Sequence, residues 1–301
     1  MEDIKTYPTA FLLSSPRSGS TMLRLNLNRV ENILTLPETH LFVLMGHYKK
    51  RKVNWANKDE KNKLAYNWTV YHSIKKFPLD RKKLHEEIVE KAESWKDVFF
   101  ITVNQFIEQQ HKGRKISLLV EKSPPHIFFV PQIKEMFPDA PLLFLVRDPR
   151  DVVASLKSCS WSTSNVYINS KVWRRGVEIM NQCPQKLTIR YEDIVAGPVA
   201  SVEKICTYCK IEFDREKFVS SSLSDDLESG NITSKNALQP ISEKHVASWK
   251  TRLSGADLDL QVIEHVCKKE MKALGYIAEG KTPVKGLRKH LFLGSLRQWL
   301  G

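Results

Sequence analysis

Four apolar runs constrain this chain most. Residues 10–13 and 141–146 are continuously apolar, and 116–120 and 187–189 are broken only by Ser117 and Thr188. A strand buried on one face alternates apolar and polar side chains; a strand covered on both faces does not. Helix-like segments at 80–95, 98–110, 127–136, 149–157, 200–210, 242–250 and 258–274 separate or follow the runs. Strands alternating with helices predict an α/β fold with a central parallel sheet flanked by helices. A hydrophobic share of 42% and a charged share of 27% suit a packed core and exclude a disordered chain. The 301 residues fit one domain with an insertion.

The residues that follow each run carry the functional signal. They are Ser14-Ser15-Pro16-Arg17, Glu121-Lys122-Ser123, Arg147-Asp148-Pro149-Arg150 and Arg190-Tyr191-Glu192-Asp193. Ligands of open α/β sheets bind outside the carboxyl ends of the strands, so Arg17, Lys122, Arg147 and Tyr191 are expected to converge. The first run opens the string FLLSSPRSGSTMLRL, which has the layout of a P-loop-like strand, loop and helix. Gly19 lets backbone N–H groups turn toward an anion, and a helix beginning near Ser20 offers more of them. Ser18, Ser20 and Thr21 add hydroxyls, and Arg17 adds a forked cation. Nucleotide loops read Gly-x-x-x-x-Gly-Lys-Ser/Thr. Here Ser14 replaces the first glycine and Ser20 the lysine. A magnesium triphosphate is poorly served by this loop, and a short 5′-phosphate is served well. No acidic cluster with magnesium spacing follows, so no metal is expected.

With these residues in place, the chain resembles the sulfotransferases that use 3′-phosphoadenosine 5′-phosphosulfate (PAPS). Pro16-Arg17-Ser18-Gly19-Ser20-Thr21 is similar to their 5′-phosphosulfate loop. The stretch from Arg147 to Ser155, RDPRDVVAS, is similar to their 3′-phosphate motif. The resemblance implies that Arg147 and Ser155 hold the 3′-phosphate. It implies that Tyr191, in RYEDI, lies near the adenine, and that Ser234 belongs to a late segment, 234–249, covering the cofactor. Adenosine 3′,5′-bisphosphate (PAP) would be the product. Glu38, in TLPETHLF, resembles the base of tyrosylprotein sulfotransferases, and His40 resembles the histidine of the assembly-line sulfotransferase domains. Glu38 is expected to be the general base, with His40 as its rival. Lys122 stands where the family places a catalytic lysine, and Arg17 would help hold the phosphosulfate. The tyrosylprotein enzymes carry an arginine four residues after the 3′-site serine, where this chain has Cys159.

The resemblance covers roughly residues 9–275 and implies a sulfotransferase domain at 1–276. A helical insertion at about 45–110 is expected to bind the acceptor, a small or lipid-like molecule carrying a hydroxyl. It holds Tyr48, Trp55, Tyr66, Trp68, Tyr71 and Trp95, which can line a pocket or build a small core of their own. The tail at 277–301 is basic and has the composition of an amphipathic helix, able to rest on an anionic membrane or to dock on its own domain. The N-terminus shows no charged-then-apolar leader and the five cysteines no framework spacing, so a cytoplasmic setting is expected. Cys206-x-x-Cys209 lies in a helix-like run and reads as structural thiols. The net charge of +13 favours anionic ligands. A small-molecule kinase and a basic nucleic-acid-binding module are the alternatives. The missing loop lysine opposes the first, no recognisable motif supports the second, and no nucleic acid is expected as a partner.

Overall fold

The computed structural model describes residues 3–48, 52–221 and 243–277. A five-stranded sheet runs through its centre in the order β2-β3-β1-β4-β5. The strands are β1 (Thr9–Ser14), β2 (Ile33–Thr35), β3 (Leu118–Glu121), β4 (Leu142–Val146) and β5 (Leu187–Arg190). Every pairing is parallel, so all carboxyl ends open on one edge. β1, β2, β3 and β4 are buried on both faces, which explains their apolar runs, whereas β5 at the sheet edge is mostly half-buried. Ala10, Leu12, Leu143 and Leu145 pack into one core, and Phe11, Leu13, Leu142 and Phe144 into the other.

The helices in chain order begin with α1 (Ser20–Asn28), α2 (Leu41–Tyr48), α3 (Lys58–Val70), α4 (Arg81–Lys91) and α5 (Trp95–Gln110). Next come α6 (Val130–Met136), α7 (Pro149–Lys157), α8 (Val166–Asn181) and α9 (Tyr191–Ala196). The last are α10 (Pro198–Tyr208), α11 (Arg215–Ser220), α12 (Trp249–Arg252) and α13 (Asp257–Ala273). Leu23 and Leu27 of α1, Ile194 of α9, Ile205 of α10 and Phe218 of α11 cover the first face. The second face is covered by α2–α8, α12 and α13, with Phe42, Phe99, Trp173 and Ile263 among the packed residues.

Several elements differ from the sequence expectation. The segment 80–95 is not one helix. Its backbone turns extended at Ala92, and Ser94 caps a new helix by accepting from the Asp97 N–H at 3.2 Å. The expected helix at 127–136 begins as a 3-10 helix, Pro124–Phe129, before α6 takes over at Val130. The described part of 242–250 is a 3-10 helix at Glu243–His245 followed by α12. Strand β2 and helices α2, α8, α9 and α11 were not expected, and α3 was anticipated only as part of the helical insertion at about 45–110. The buried face of α8 includes Asn169, Ser170 and Gly176, which break the apolar period that would have marked it. The tail at 278–301 and Ser234 lie outside the described residues.

Candidate active site

The loop after β1 forms the floor of the site. Arg17 and Gly19 both have left-handed backbones, at φ 68° and 95°. Gly19 is the N-cap of α1 and brings no side chain to the first N–H groups of that helix. A Cβ at Gly19 would lie 2.5 Å from the ring of Tyr191, so glycine is required by space as well as by conformation. Ser18 and Ser20 are buried in the same turn. Among the described residues the Ser18 hydroxyl has no hydrogen-bond partner.

The start of α7 supplies a second cationic centre. Asp148 caps this helix, its carboxylate accepting from the Arg150 N–H at 2.8 Å, and Pro149 fills the first turn. The β4–β1 pairing sets Arg147 beside the first loop. Its guanidinium donates to the Arg17 carbonyl at 3.3 Å and stacks 4.2 Å over the Tyr191 ring. Arg17 Nε in turn donates to Ser155 Oγ at 3.0 Å, so the two motifs touch. Arg147 also donates to the His245 carbonyl and lies 3.4 Å from Asp151, which accepts from Ser248 Oγ at 2.9 Å and the Trp249 N–H at 2.7 Å. The described end of the late segment thus covers this centre. Among the described residues Arg147 Nε has no partner, although the residue is buried. Burial pushes the Tyr191 phenol up, against the pull of Arg147. Cys159 donates its thiol to the Ser155 carbonyl at 3.3 Å.

Strand β2 carries the third part. Thr35 pairs with Val120, so the chain leaves β2 toward Glu38 at the same edge where β3 ends before Lys122. Lys122 is 3% exposed, and its ammonium donates to Glu38 Oε1. The other oxygen, Oε2, is 3.2 Å from His40 Nε2, and His40 Nδ1 is 3.2 Å from His72 Nε2. Burial alone would push the Glu38 carboxyl up. The hydrogen bonds from His40 and Lys122 and the nearby ammonium outweigh it and bring the carboxyl down to about 2. Burial draws Lys122 below the usual lysine range; Glu38 opposes this and the charge of Arg24 adds to it. Glu38 is therefore a carboxylate at neutral pH and the chief partner of a buried cation. His72, exposed, is lowered by burial and by the charges of His40 and Lys76.

The structure brings Arg17, Ser18, Gly19, Ser20, Arg147, Ser155 and Tyr191 together, and sets Glu38, Lys122 and His40 in a second cluster. Thr21 lies in the first turn of α1. Sequence reasoning missed Arg24, buried in α1, and His72, brought in by the inserted helices. It named Glu121 and Ser123 only as strand-end residues, without a role, and passed over His126; the three bracket Lys122 in the string EKSPPH. The insertion aromatics mostly build a core. Trp68 is fully buried with its Nε1 on Thr102 Oγ1 at 2.8 Å, and Tyr48 and Trp55 both pack edgewise on Trp95. Tyr66 is exposed, and Tyr71 reaches the site through its contact with His72. Cys206 and Cys209 are buried, and burial lifts their thiols to about 11 and about 12, the state of structural cysteines. Among the described residues no group of three or more His, Cys, Asp or Glu is placed to hold a metal ion.

Comparison with known proteins bears on the family and the fold. The chain is 22% identical over 267 residues to a protein-tyrosine sulfotransferase of Drosophila melanogaster, covering 82% of this chain and 48% of that protein. It is 22% identical over 265 residues to protein-tyrosine sulfotransferase A of Caenorhabditis elegans, covering 81% of this chain and 62% of that one. The chain thus spans about half to three fifths of the length of these relatives. Among solved structures, the sulfotransferase domain of the Synechococcus PCC 7002 olefin synthase shares the fold, with a TM-score of 0.57 and 20% identity over 83% of this chain and 90% of that one. The model of the sulfotransferase family matches residues 8–215, which include both cationic centres, Glu38 and Lys122, and the chain belongs to that family.

Proposed function

We propose that this chain transfers a sulfuryl group from PAPS to a hydroxyl acceptor. The observation that carries the reading is the Glu38–Lys122 pair beside a loop joined to a second cationic centre through Arg17 and Ser155. The residues fit the donor. Ser18 offers an unpartnered buried hydroxyl, Gly19 keeps the approach to the α1 N–H groups open, and Arg147 Nε is unpartnered beside Tyr191. Ser18, Gly19, Ser20 and Thr21 would hold the 5′-phosphosulfate, with Arg17 alongside. Arg147 and Ser155 would hold the 3′-phosphate, Tyr191 would lie by the adenine, and Ser234 would belong to the cover. When bound, the donor supplies a sulfonate whose sulfur–oxygen bond to phosphate breaks as a sulfur–oxygen bond to the acceptor forms.

Positioning and charge balance dominate such transfers. Lys122 balances the charge that develops on the departing phosphate oxygen. To do so it turns away from Glu38, and this removes one of the causes that hold the Glu38 carboxyl low. Glu38 is thereby more basic when the acceptor hydroxyl must lose its proton. Both ring nitrogens of His40 are already engaged, one by Glu38 and one by His72. Proton removal is therefore assigned to Glu38 and its orientation to His40.

A small or lipid-like hydroxyl compound is the first acceptor reading. A tyrosyl peptide is the second, favoured by the names of the fly and nematode relatives. Radiolabelled donor offered with phenols, long-chain alcohols and tyrosine-containing peptides separates them. Glu38→Gln and Lys122→Ala should each lower turnover by about 100-fold or more while PAP still binds. Full turnover in both variants would discard this site.

A further inference from the structure

We infer that Glu121 and His126 are positioning residues, which clamp the loop carrying Glu38 to the strand end carrying Lys122. The inference rests on the sulfuryl-transfer reading of this site. Glu121, Ser123, His126 and Thr39 are all at most 1% exposed. Glu121 Oε1 accepts from Thr39 Oγ1 at 2.8 Å, from Ser123 Oγ at 2.6 Å and from the Thr39 N–H at 3.4 Å. Its Oε2 is 2.8 Å from His126 Nδ1. Ser123 Oγ accepts from the His40 N–H at 3.0 Å. The Phe42 N–H donates to His126 Nε2 at 3.3 Å.

These contacts fix every donor and acceptor in the cluster. Because His126 Nε2 accepts from Phe42, its proton sits on Nδ1 and is donated to Glu121. Hydrogen bonds from His126, Ser123 and Thr39 hold the buried Glu121 carboxyl low despite its burial. The bonds reach the loop at Thr39, His40 and Phe42, the residues that follow Glu38. His40 itself has φ 53°, a left-handed backbone that a residue with a Cβ seldom adopts. Such a conformation persists only where its surroundings over-determine it, and here Ser123 and Glu121 do so. A buried polar cluster with no task is readily replaced by apolar side chains. This one instead ties the base to the residues on either side of the lysine.

The test uses the full chain with Glu121→Gln, His126→Asn and His126→Phe. Three quantities are read: PAP affinity, the rate of radiolabelled sulfate release from PAPS with water as acceptor, and amide exchange at Phe42. Asn keeps a donor near the Nδ1 position, so it should retain the Glu121 contact that Phe removes. PAP affinity should stay within about twofold of wild type in all three, because Arg147 and the first loop are untouched. The rate at saturating donor should fall about tenfold or more in Glu121→Gln and His126→Phe, and His126→Asn should recover part of the loss. The Phe42 amide should exchange faster in Glu121→Gln, since the glutamine amide faces Nδ1 and pulls the imidazole into its other tautomer. Wild-type rates in folded Glu121→Gln and His126→Phe would overturn the inference, and so would losses matched by lost PAP binding. If wild type neither binds PAP nor releases sulfate, the functional reading fails first and the inference falls with it.

Discussion

Lys122 sits where an ammonium is costly to hold, buried with one carboxylate as its chief partner and the charge of Arg24 felt nearby. Removing one member of a buried pair strands the other, but the two members here are not equivalent. The Glu38 side chain is 39% exposed and keeps His40, whereas the Lys122 side chain is 4% exposed. Glu38→Gln should therefore lower the melting temperature by several degrees, and Lys122→Met should leave it unchanged or raise it, while both lose turnover. Thermal melts of the two variants decide this, and equal destabilisation would contradict the geometry. The pH dependence follows from the same pair. Glu38 titrates at about 2 in the fold against an ordinary value of 4.5, so its contribution to stability is complete above 4.5. The contribution is lost as pH falls through the folded value. The stability gap between wild type and Glu38→Gln should hold at neutral pH and close between about pH 4.5 and 2. At this scale the sequence shows which residue types the chemistry needs, because Glu38 and Lys122 stand in recognisable strings. It does not show the Lys122–Glu38 contact or the His40–His72 contact, which joins residues 32 apart in the chain.

Among the elements, β2 contributes most to the site for its size. Its three residues are too few to show a pattern, yet their pairing with β3 carries Glu38 to Lys122. Strands β1, β3 and β4 were legible because burial on both faces leaves a run of apolar residues that no surface element shares. Helix α7 was legible to its exact bounds, since Asp148-Pro149 is a start signal read directly from the chain. Helix α8 was not, because small polar residues pack on its buried face. The turn into α1 gives a prediction at this scale. Gly19→Ala forces a Cβ against Tyr191 in a left-handed backbone, so the loop and the ring cannot both keep their places. PAP affinity should fall by about tenfold or more, a loss of about 1.4 kcal/mol or more in binding. Calorimetric titration of the variant reads it, and wild-type affinity would show that the Tyr191 contact does not shape the site.

For the whole molecule, the parallel sheet gathers five strand ends on one edge, and two cationic centres with a carboxylate–lysine pair are built there. The net charge of +13 makes an anionic ligand easy to attract but says nothing of its shape. The proposed donor carries two phosphate groups, one for each of the two centres that Arg17 and Ser155 join. The most direct test of the account is calorimetric titration of the full chain with PAP and with ATP, with and without magnesium, repeated in Arg147→Ala. The account predicts that PAP binds without magnesium, more tightly than ATP, and at least about tenfold more weakly in the variant. Tighter binding of magnesium–ATP, or PAP binding that ignores Arg147→Ala, would contradict it.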